Sequence, residues 1–302
     1  MSERTDTTAQ EDGFEEGNYS FSCPVDHDGT FLQIRGWTVE HAKNQRPLLL
    51  VHDWGEDSTI FGSLGRHLNS HDYSCYAYDL RGHGLSGESW TKSPSFAQHL
   101  QDLLQVVSWL KHENKGQTVE IVAQGMSALM LLHFIKTFPK LLSRSLMVAP
   151  ALGLQAKQAP WRRFVMRAIS DVAPRITLPR ALSPQITVPS SYTRPTTIIQ
   201  TLMAAGGQPP LSAGMLMQTL EAMNQGRKIL LEKELFPLTL WIPEQSSVYD
   251  YSFLKTSDSL TQKLRDSIQW FPSPQIHLAE SLLEGGDKTV GENFLLWLNL
   301  HG

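Results

Sequence analysis

The segment Val119–Ala128 (VEIVAQGMSA) joins an apolar run typical of a buried strand to a turn of small residues and then to a helix. A tight turn between a strand and a helix can hold one side chain out over a sheet, where it could attack a carbonyl carbon. The residue at the apex is Gly125, which tolerates a strained backbone but has no nucleophilic atom. Ser127 could be a displaced nucleophile, but its predicted place in the first helical turn favours a local hydrogen-bonding role.

Three further segments match a known family, in the right order along the chain. Residues 52–58 (HDWGEDS) resemble an HGxxEHS run, residues 79–87 (DLRGHGLSG) resemble a D-x-R-G-H-G-x-S-x-G run, and residues 173–179 (APRITLP) resemble part of a cap. These runs belong to the monoacylglycerol lipase, lysophospholipase and serine-aminopeptidase-like branch of the α/β-hydrolase superfamily. With the turn at Gly125 laid over that family's G-x-S-x-G nucleophile elbow, the resemblance covers roughly residues 19–300.

The resemblance implies the positions of an ester-hydrolase site. Gly125 takes the position of the nucleophilic serine, and Ala123 and Ser127 take the two outer glycine positions. The backbone N–H groups of Trp54 and Met126 take the positions of the two oxyanion-hole donors. The sequence therefore predicts an elbow whose nucleophile position is degenerate.

Asp53 stands where the family has the glycine of its oxyanion loop. An ordinary surface carboxylate is one interpretation, but at this position it would put negative charge beside a developing oxyanion. Two like charges about 4 Å apart repel by about 4 kcal/mol at an effective dielectric constant of about 20. We therefore predict that Asp53 opposes hydrolysis.

The resemblance also implies a catalytic triad, in which an acid and a histidine base assist the nucleophilic serine. The acid is expected after the predicted strand Leu238–Ile242, where the resemblance places Gln245. Glutamine can accept a hydrogen bond from an imidazole, but it does not stabilise an imidazolium as a carboxylate does. Glu244 and Asp250 are the available replacements, although charged residues in loops are usually only solvated. The acid position is therefore predicted to be degenerate as well.

The base of the triad is ambiguous. His277 is the candidate, in a segment that resembles the family's strand, histidine and acidic helix start. Counting from the strand places the catalytic position one residue before His277, whereas counting back from the helix places it at Ala279. His277 as a displaced base and His277 as an ordinary loop residue remain equally open.

Short apolar strands alternate with amphipathic helices over residues 47–149 and again over residues 238–298. With an antiparallel entry hairpin over residues 19–38, this alternation predicts an α/β fold, a mostly parallel, doubly wound sheet. Residues 151–235 hold many prolines and Met-rich helical stretches, which predict a helical cap inserted into the α/β-hydrolase core. The predicted domains are a disordered acidic leader (1–18), the core (19–150 and 236–302) and the cap, or lid (151–235).

The composition limits the partners. The chain has 302 residues and a net charge of −4, which gives no reason to expect nucleic acid or an anionic membrane surface. The two cysteines show no metal spacing or disulfide framework, which favours a reducing compartment and predicts a cytoplasmic protein. No apolar run is long enough to span a membrane. The eleven histidines have no metal-binding spacing, so we predict no metal and no cofactor.

Three functions remain open at this stage. The first is a pseudoenzyme that keeps the scaffold and binds an apolar ligand, such as a lipid, or a protein partner without cleaving it. Met203 and Met215 of the predicted cap are candidate ligand-binding residues, although packing of the cap on the sheet would explain them equally well. The alternative is an active carboxylic-ester hydrolase with a rearranged site. The third is a cofactor-free lyase or oxygenase that uses His277 as its base.

Overall fold

The structure is a computed structural model, and it describes residues 19–24, 29–44, 46–87, 95–155, 160–178, 211–232, 237–246, 248–272 and 288–299. The predicted leader, Met203 and His277 lie outside these ranges. Within them, no helix is long and apolar enough to cross a membrane.

An eight-stranded sheet forms the centre of the fold. Its strands are β1 (Tyr19–Pro24), β2 (Phe31–Trp37), β3 (Leu48–Val51), β4 (Cys75–Tyr78), β5 (Val119–Gln124), β6 (Leu142–Val148), β7 (Leu238–Pro243) and β8 (Ile268–Phe271). Their order across the sheet is β1-β2-β4-β3-β5-β6-β7-β8. β2 pairs antiparallel with β1 and β4, whereas every other pairing is parallel. The predicted entry hairpin and mostly parallel sheet are confirmed.

Helices lie along both faces of the sheet. They are α1 (Gly62–Ser70), α2 (Phe96–Glu113), α3 (Gly125–Thr137), α4 (Pro160–Val172), α5 (Ala213–Leu230), α6 (Ser252–Thr256), α7 (Gln262–Asp266) and α8 (Lys288–Asn299), with short 3-10 helices at Ser58–Phe61 and Pro139–Leu141. The alternation of strands and helices in the sequence includes a helix predicted near residues 257–265, and the structure has α7 there. α7 begins only at Gln262, because the Thr261 side chain accepts the N–H of Leu264 and caps the helix at that point.

β3 shows how the sheet separates two hydrophobic cores. Successive side chains of a strand point to opposite faces. Leu48 and Leu50 therefore join a smaller cluster with α1 and α8, while Leu49 and Val51 join a larger cluster with α2, α3 and α5. The continuous apolar run of this strand is explained by burial on both faces.

The described part of the predicted cap consists mainly of α4 and α5, which lie between β6 and β7 in the chain. α5 packs against α3, and Met166 of α4 is buried in the larger cluster. On α4 some apolar side chains remain in solvent, with Phe164 77% exposed and Val172 87% exposed. The cap therefore packs on the core while leaving apolar surface uncovered.

Candidate active site

The turn between β5 and α3 has the backbone of an elbow. The helix begins at Gly125, directly after the last residue of β5, so Ser127 lies in its first turn. Gly125 has a φ of +51°, in the left-handed region that residues other than glycine rarely adopt. The candidate nucleophile position is thus at the carboxyl end of a central strand, with the strained geometry expected of it.

The Asp53 carboxylate occupies the space next to Gly125. Its Oδ1 accepts a hydrogen bond from the Trp54 N–H at 2.7 Å and another from the Met126 N–H at 2.8 Å. These are the two N–H groups predicted as oxyanion-hole donors, and the structure brings them together on one oxygen atom. A Cβ atom added at Gly125 would overlap the same carboxylate.

The surroundings favour a negative charge at this point. Met126 lies in the first turn of α3, where the helix dipole and the N–H groups attract anions. Hydrogen bonds between N–H groups and a charged acceptor contribute about 1.5–3 kcal/mol each. The Asp53 carboxylate therefore takes up the positive potential that a reacting oxyanion would need.

The loop that carries Asp53 is held by its neighbours. The His52 Nε2 accepts the Leu80 N–H at 3.0 Å, so its Nδ1 carries the hydrogen and donates to the Asp53 carbonyl at 2.8 Å. The Asp53 N–H donates to the Glu56 carboxylate at 2.9 Å. Ser127 is buried and its hydroxyl donates to the His52 carbonyl at 2.6 Å. This contact joins α3 to the end of β3 and gives Ser127 a structural role.

Asp79 fastens the next loop. Its Oδ1 accepts the Ser58 N–H at 2.7 Å and the Ser58 hydroxyl at 2.5 Å, and its Oδ2 accepts the Leu85 N–H at 2.8 Å. Gly84 has a φ of +51°, and a side chain there would overlap the Asp79 carboxylate. The aspartate and the glycine of the predicted D-x-R-G-H-G run therefore fit each other and shape the loop.

Arg81 forms a buried ion pair with Asp102 of α2. Two parallel hydrogen bonds join them, from Nε to Oδ2 at 2.9 Å and from Nη2 to Oδ1 at 2.6 Å. The remaining nitrogen, Nη1, donates to the Thr30 hydroxyl at 2.7 Å. Both charged side chains are almost completely buried, so the pair ties the loop after β4 to α2.

Four aromatic rings pack in tilted and edge-to-face contacts next to the loop that carries Asp53. The ring centroids are 5.6 Å apart between His52 and His83, 4.7 Å between His83 and Trp54, and 5.7 Å between Trp54 and His99. The His83 Nε2 accepts the Gly55 N–H at 3.1 Å. The rings thus pack against the loop and hold the Trp54 backbone in place.

Burial keeps His83 and His99 neutral. Burial first, and the neighbouring His52 second, lower the pKa of His83 to about 4. Burial, with His83 and Arg81 nearby, lowers the pKa of His99 to about 3. Neither ring nitrogen of His99 has a hydrogen-bond partner among the residues that the structure describes. Sequence analysis missed His99, although its helical spacing from Phe96 and Leu103 places it on the buried face of α2.

The acid position holds no buried carboxylate. Gln245 and Glu244 are both exposed in the turn that follows β7. The Asp250 carboxylate accepts the Ser252 N–H at 2.9 Å and lies 3.4 Å from the Arg227 guanidinium. The hydrogen bond from Ser252, followed by the charge of Arg227, holds the pKa of Asp250 below its usual range. Within the described residues, no histidine is hydrogen-bonded to Asp250.

Tyr251 is a buried residue near Asp53 that the sequence did not indicate. Its side chain is buried, and its hydroxyl has no hydrogen-bond partner in the described part of the chain. Burial, and secondly the negative charge of Asp53, raise the pKa of this hydroxyl well above its usual value. The tyrosine is therefore neutral and close enough to Asp53 to sense its charge. No motif surrounds it, so only the folded structure could find it.

The two methionines predicted to bind ligand fall in different parts of the structure. Met215 lies in the first turn of α5 and is buried in the larger hydrophobic cluster. Its N–H donates to the Ser212 hydroxyl, which caps the helix. Met203 lies outside the described residues, as does His277, the candidate base.

The sheet order, the elbow at Gly125 and the loop around Asp79 together define an α/β-hydrolase fold. The family described as serine aminopeptidase, S33, matches residues 42–248, and the chain belongs to this family. The predicted α/β-hydrolase fold and the predicted serine-aminopeptidase-like family are thereby confirmed.

Solved structures have the same fold. The monoacylglycerol lipase of Paleococcus ferrophilus is similar with a TM-score of 0.69 and 18% identity, over 90% of this chain and 99% of that one. A soluble variant of monoglyceride lipase from Saccharomyces cerevisiae, in complex with a substrate analog, gives a TM-score of 0.67 and 18% identity, over 91% of this chain and 93% of that one. At these identities the likeness concerns the fold alone.

The match to one curated relative covers a shorter part of the chain. The uncharacterized protein YnbC of Escherichia coli (strain K12) is 26% identical over 130 residues, which are 42% of this chain and 22% of that protein. The match thus spans about a fifth of the length of that relative.

Proposed function

We propose that this α/β-hydrolase does not hydrolyse esters by a serine mechanism and acts instead as a binding scaffold for an apolar ligand. The observation that carries the proposal is the Asp53 carboxylate, which accepts both the Trp54 N–H and the Met126 N–H. Acyl transfer needs such N–H groups to stabilise the oxyanion of the tetrahedral intermediate. A substrate would first have to displace a charged group of the protein itself.

The remaining positions of the site support the same proposal. Gly125 supplies no nucleophilic atom, and a side chain there would meet Asp53. Gln245 is exposed and uncharged, so it offers no carboxylate to orient a base. Each departure alone could be compensated elsewhere, but nucleophile, acid and oxyanion hole depart together.

Apolar surface on the cap supports the ligand class. Phe164, Val172 and Ile176 are exposed on or just after α4, although buried Met166 anchors the same helix to the core. An uncovered apolar surface of this kind suits an acyl chain or a protein partner. We favour the acyl chain, because two of the solved structures with the same fold are monoacylglycerol and monoglyceride lipases. A protein partner is the outcome expected if lipids fail to bind.

A cytoplasmic location is part of the proposal. Both cysteines of the chain, Cys23 and Cys75, are buried thiols, and burial strongly raises the pKa of the Cys75 thiol. Such thiols are inert packing residues and are compatible with a reducing compartment.

Labelling with a fluorophosphonate probe tests the loss of activity. The purified protein should show no added mass after incubation and no turnover of a short p-nitrophenyl ester above buffer. A Ser127→Ala variant, treated in parallel, is the control for a displaced nucleophile. Stoichiometric labelling of the wild type that disappears in this variant would establish an active serine and overturn the proposal.

A further inference from the structure

A cavity of about 410 Å³ lies at the amino ends of β6 and β7. Gly125 follows the carboxyl end of β5, so this basal cavity is at the opposite edge of the parallel sheet. The length of a six-residue strand separates the two places by about 20 Å. The cavity is therefore independent of the candidate active site and of the function proposed for it.

The residues around the basal cavity are strongly cationic. Arg46, Arg144 and Lys263 line it, and no acidic residue is among the lining side chains that the structure describes. Arg46 and Lys263 are exposed, so their charges are free to approach a ligand. Glu120 lies behind Arg144 and neutralises one charge at 2.8 Å, which leaves a formal charge of two positive units.

Arg144 forms a rigid wall of the cavity. Its Nη1 donates to the Trp297 carbonyl at 2.6 Å, and its Nη2 donates to Glu120 and to the Leu298 carbonyl at 3.2 Å. The guanidinium also lies 4.2 Å from the centroid of the Trp297 ring. The side chain is only 8% exposed, and its Nε has no hydrogen-bond partner in the part of the chain that the structure describes. Buried polar groups are normally hydrogen-bonded, and an acceptor atom of a ligand would satisfy this nitrogen.

Hydroxyl groups and apolar side chains complete the lining. Ser143 and Ser145 donate to backbone carbonyls only at 3.4 Å, at the limit of hydrogen bonding, so both could turn to a ligand at little cost. Pro237, Leu238 and Trp297 add an apolar surface. The volume lies within the range of small-molecule sites and exceeds what an inorganic anion alone would fill.

We propose that the basal cavity binds a small organic phosphate. The phosphate group lies against Arg46, Arg144 and Lys263 and accepts hydrogen bonds from the serine hydroxyls. Its two negative charges match the two uncompensated positive charges of the cavity. The organic part contacts Leu238 and Trp297.

Amide NMR titrations of the deuterated protein test this site with three probes: phenyl phosphate, inorganic phosphate and neutral benzyl alcohol. Phenyl phosphate should shift the signals of Ser145, Thr239 and Ser267 in a saturable way and leave those of Trp54 and Met126 unchanged. Inorganic phosphate should bind at the same place more weakly, and benzyl alcohol should not bind there. Equal binding of benzyl alcohol, or shifts confined to Trp54 and Met126, would overturn the proposal.

Charge-reversal variants identify the cations. Lys263→Glu and Arg46→Glu should each weaken phenyl phosphate binding about tenfold or more. Arg167→Glu changes the net charge equally at an exposed position on α4, which follows the opposite, carboxyl end of β6, and it should bind as the wild type does. Two exposed positions are used so that a folding defect in one does not decide the result. Equal weakening by Arg167→Glu, or saturation only in the tens of millimolar range, would mean nonspecific attraction and contradict the site.

Discussion

The Asp53 carboxylate lies where the Cβ atom of any side chain at position 125 would have to be. The same carboxylate accepts the Met126 N–H, so it also satisfies the first turn of the helix that begins at residue 125. Aspartate at one position and glycine at the other are thus complementary. Restoring a serine at position 125 would place it against the carboxylate.

Replacement of Gly125 by serine should not create an esterase. Gly125→Ser alone, and Gly125→Ser combined with Asp53→Ala, should turn over p-nitrophenyl acetate at most slightly faster than wild type. The reason is that Gln245 still provides no carboxylate, and restoring one member of a triad recovers little when another is lacking. The measurement is the steady-state rate of p-nitrophenyl acetate hydrolysis, with Gly116→Ser as the control variant. Robust turnover by Gly125→Ser alone would reveal an acid and a base elsewhere in the protein.

The buried histidines should make the protein less stable in mild acid. His83 and His99 have folded-state pKa values of about 4 and about 3, below the ordinary value of 6.5. At a pH between the folded-state pKa and 6.5, each of these histidines therefore binds a proton in the unfolded chain but not in the folded protein. The free energy of unfolding is therefore unaffected by these two histidines above pH 6.5, and it decreases as the pH falls below that value. Each contributes a slope of up to about 1.4 kcal/mol per pH unit.

His99→Phe isolates one of these slopes. Urea denaturation at several pH values should show a pH dependence smaller by up to about 1.4 kcal/mol per unit below pH 6, whatever the change in absolute stability. The exposed His112→Phe serves as the control and should keep the wild-type slope. A His99→Phe slope equal to that of wild type would mean that His99 is protonated in the folded protein.

The buried ion pair between Arg81 and Asp102 should be important for stability. Asp102→Asn leaves a buried guanidinium without its counter-charge and should lower the free energy of unfolding by about 3–5 kcal/mol. Asp72→Asn, in the exposed pair with Lys43 at 3.1 Å, should cost less than about 1 kcal/mol. Urea denaturation of both variants provides the comparison, and similar small losses in the two would show that the buried pair contributes little.

Lipid binding should raise the melting temperature. A ligand that binds only the folded state stabilises it by about 2.7 kcal/mol at a concentration of about one hundred times the dissociation constant. Long-chain fatty acids and monoacylglycerols should therefore raise the melting temperature in a concentration-dependent way. Phe164→Ser on the cap should weaken this effect, whereas Leu296→Ser, which removes another exposed apolar side chain, should not. A panel of such lipids with no effect would favour a protein partner instead.

Sequence alone predicted the architecture because the relevant signals are local. The apolar run of β3, the turn at Gly125 and the loop from Asp79 each combine residues that are close in the chain. The predicted strand bounds agree with the structure to within a few residues, whereas the helix near residue 260 begins later than predicted, at Gln262, because Thr261 caps it there. The cap boundaries stay a prediction.

The details of the site depend on contacts between distant segments. The hydrogen bond from Met126 to Asp53 joins residues 73 positions apart, so the sequence indicated a charge near the oxyanion position but not the atoms it would bind. Tyr251 follows β7 and has its pKa raised in part by the charge of Asp53, and His99 contacts the Trp54 ring from a helix with no motif. Such residues are recognised only when the fold brings them together.

A thermodynamic cycle on positions 53 and 125 tests the central claim most directly. Gly125→Ser should destabilise the protein by more than about 3 kcal/mol, through left-handed strain and overlap with Asp53. Gly116→Ser, at a φ of +80° with open space around it, should cost only about 1 kcal/mol.

The second substitution decides between strain and overlap. Asp53→Ala removes the overlapping carboxylate, so it should cost about 1–3 kcal/mol less stability in the Gly125→Ser background than in the wild type, measured by urea denaturation. Asp53→Asn keeps the shape of the side chain and should cost the same in both backgrounds. A difference between the backgrounds for both substitutions, or for neither, would show that the Asp53 side chain does not occupy the space beside residue 125 and would contradict the account.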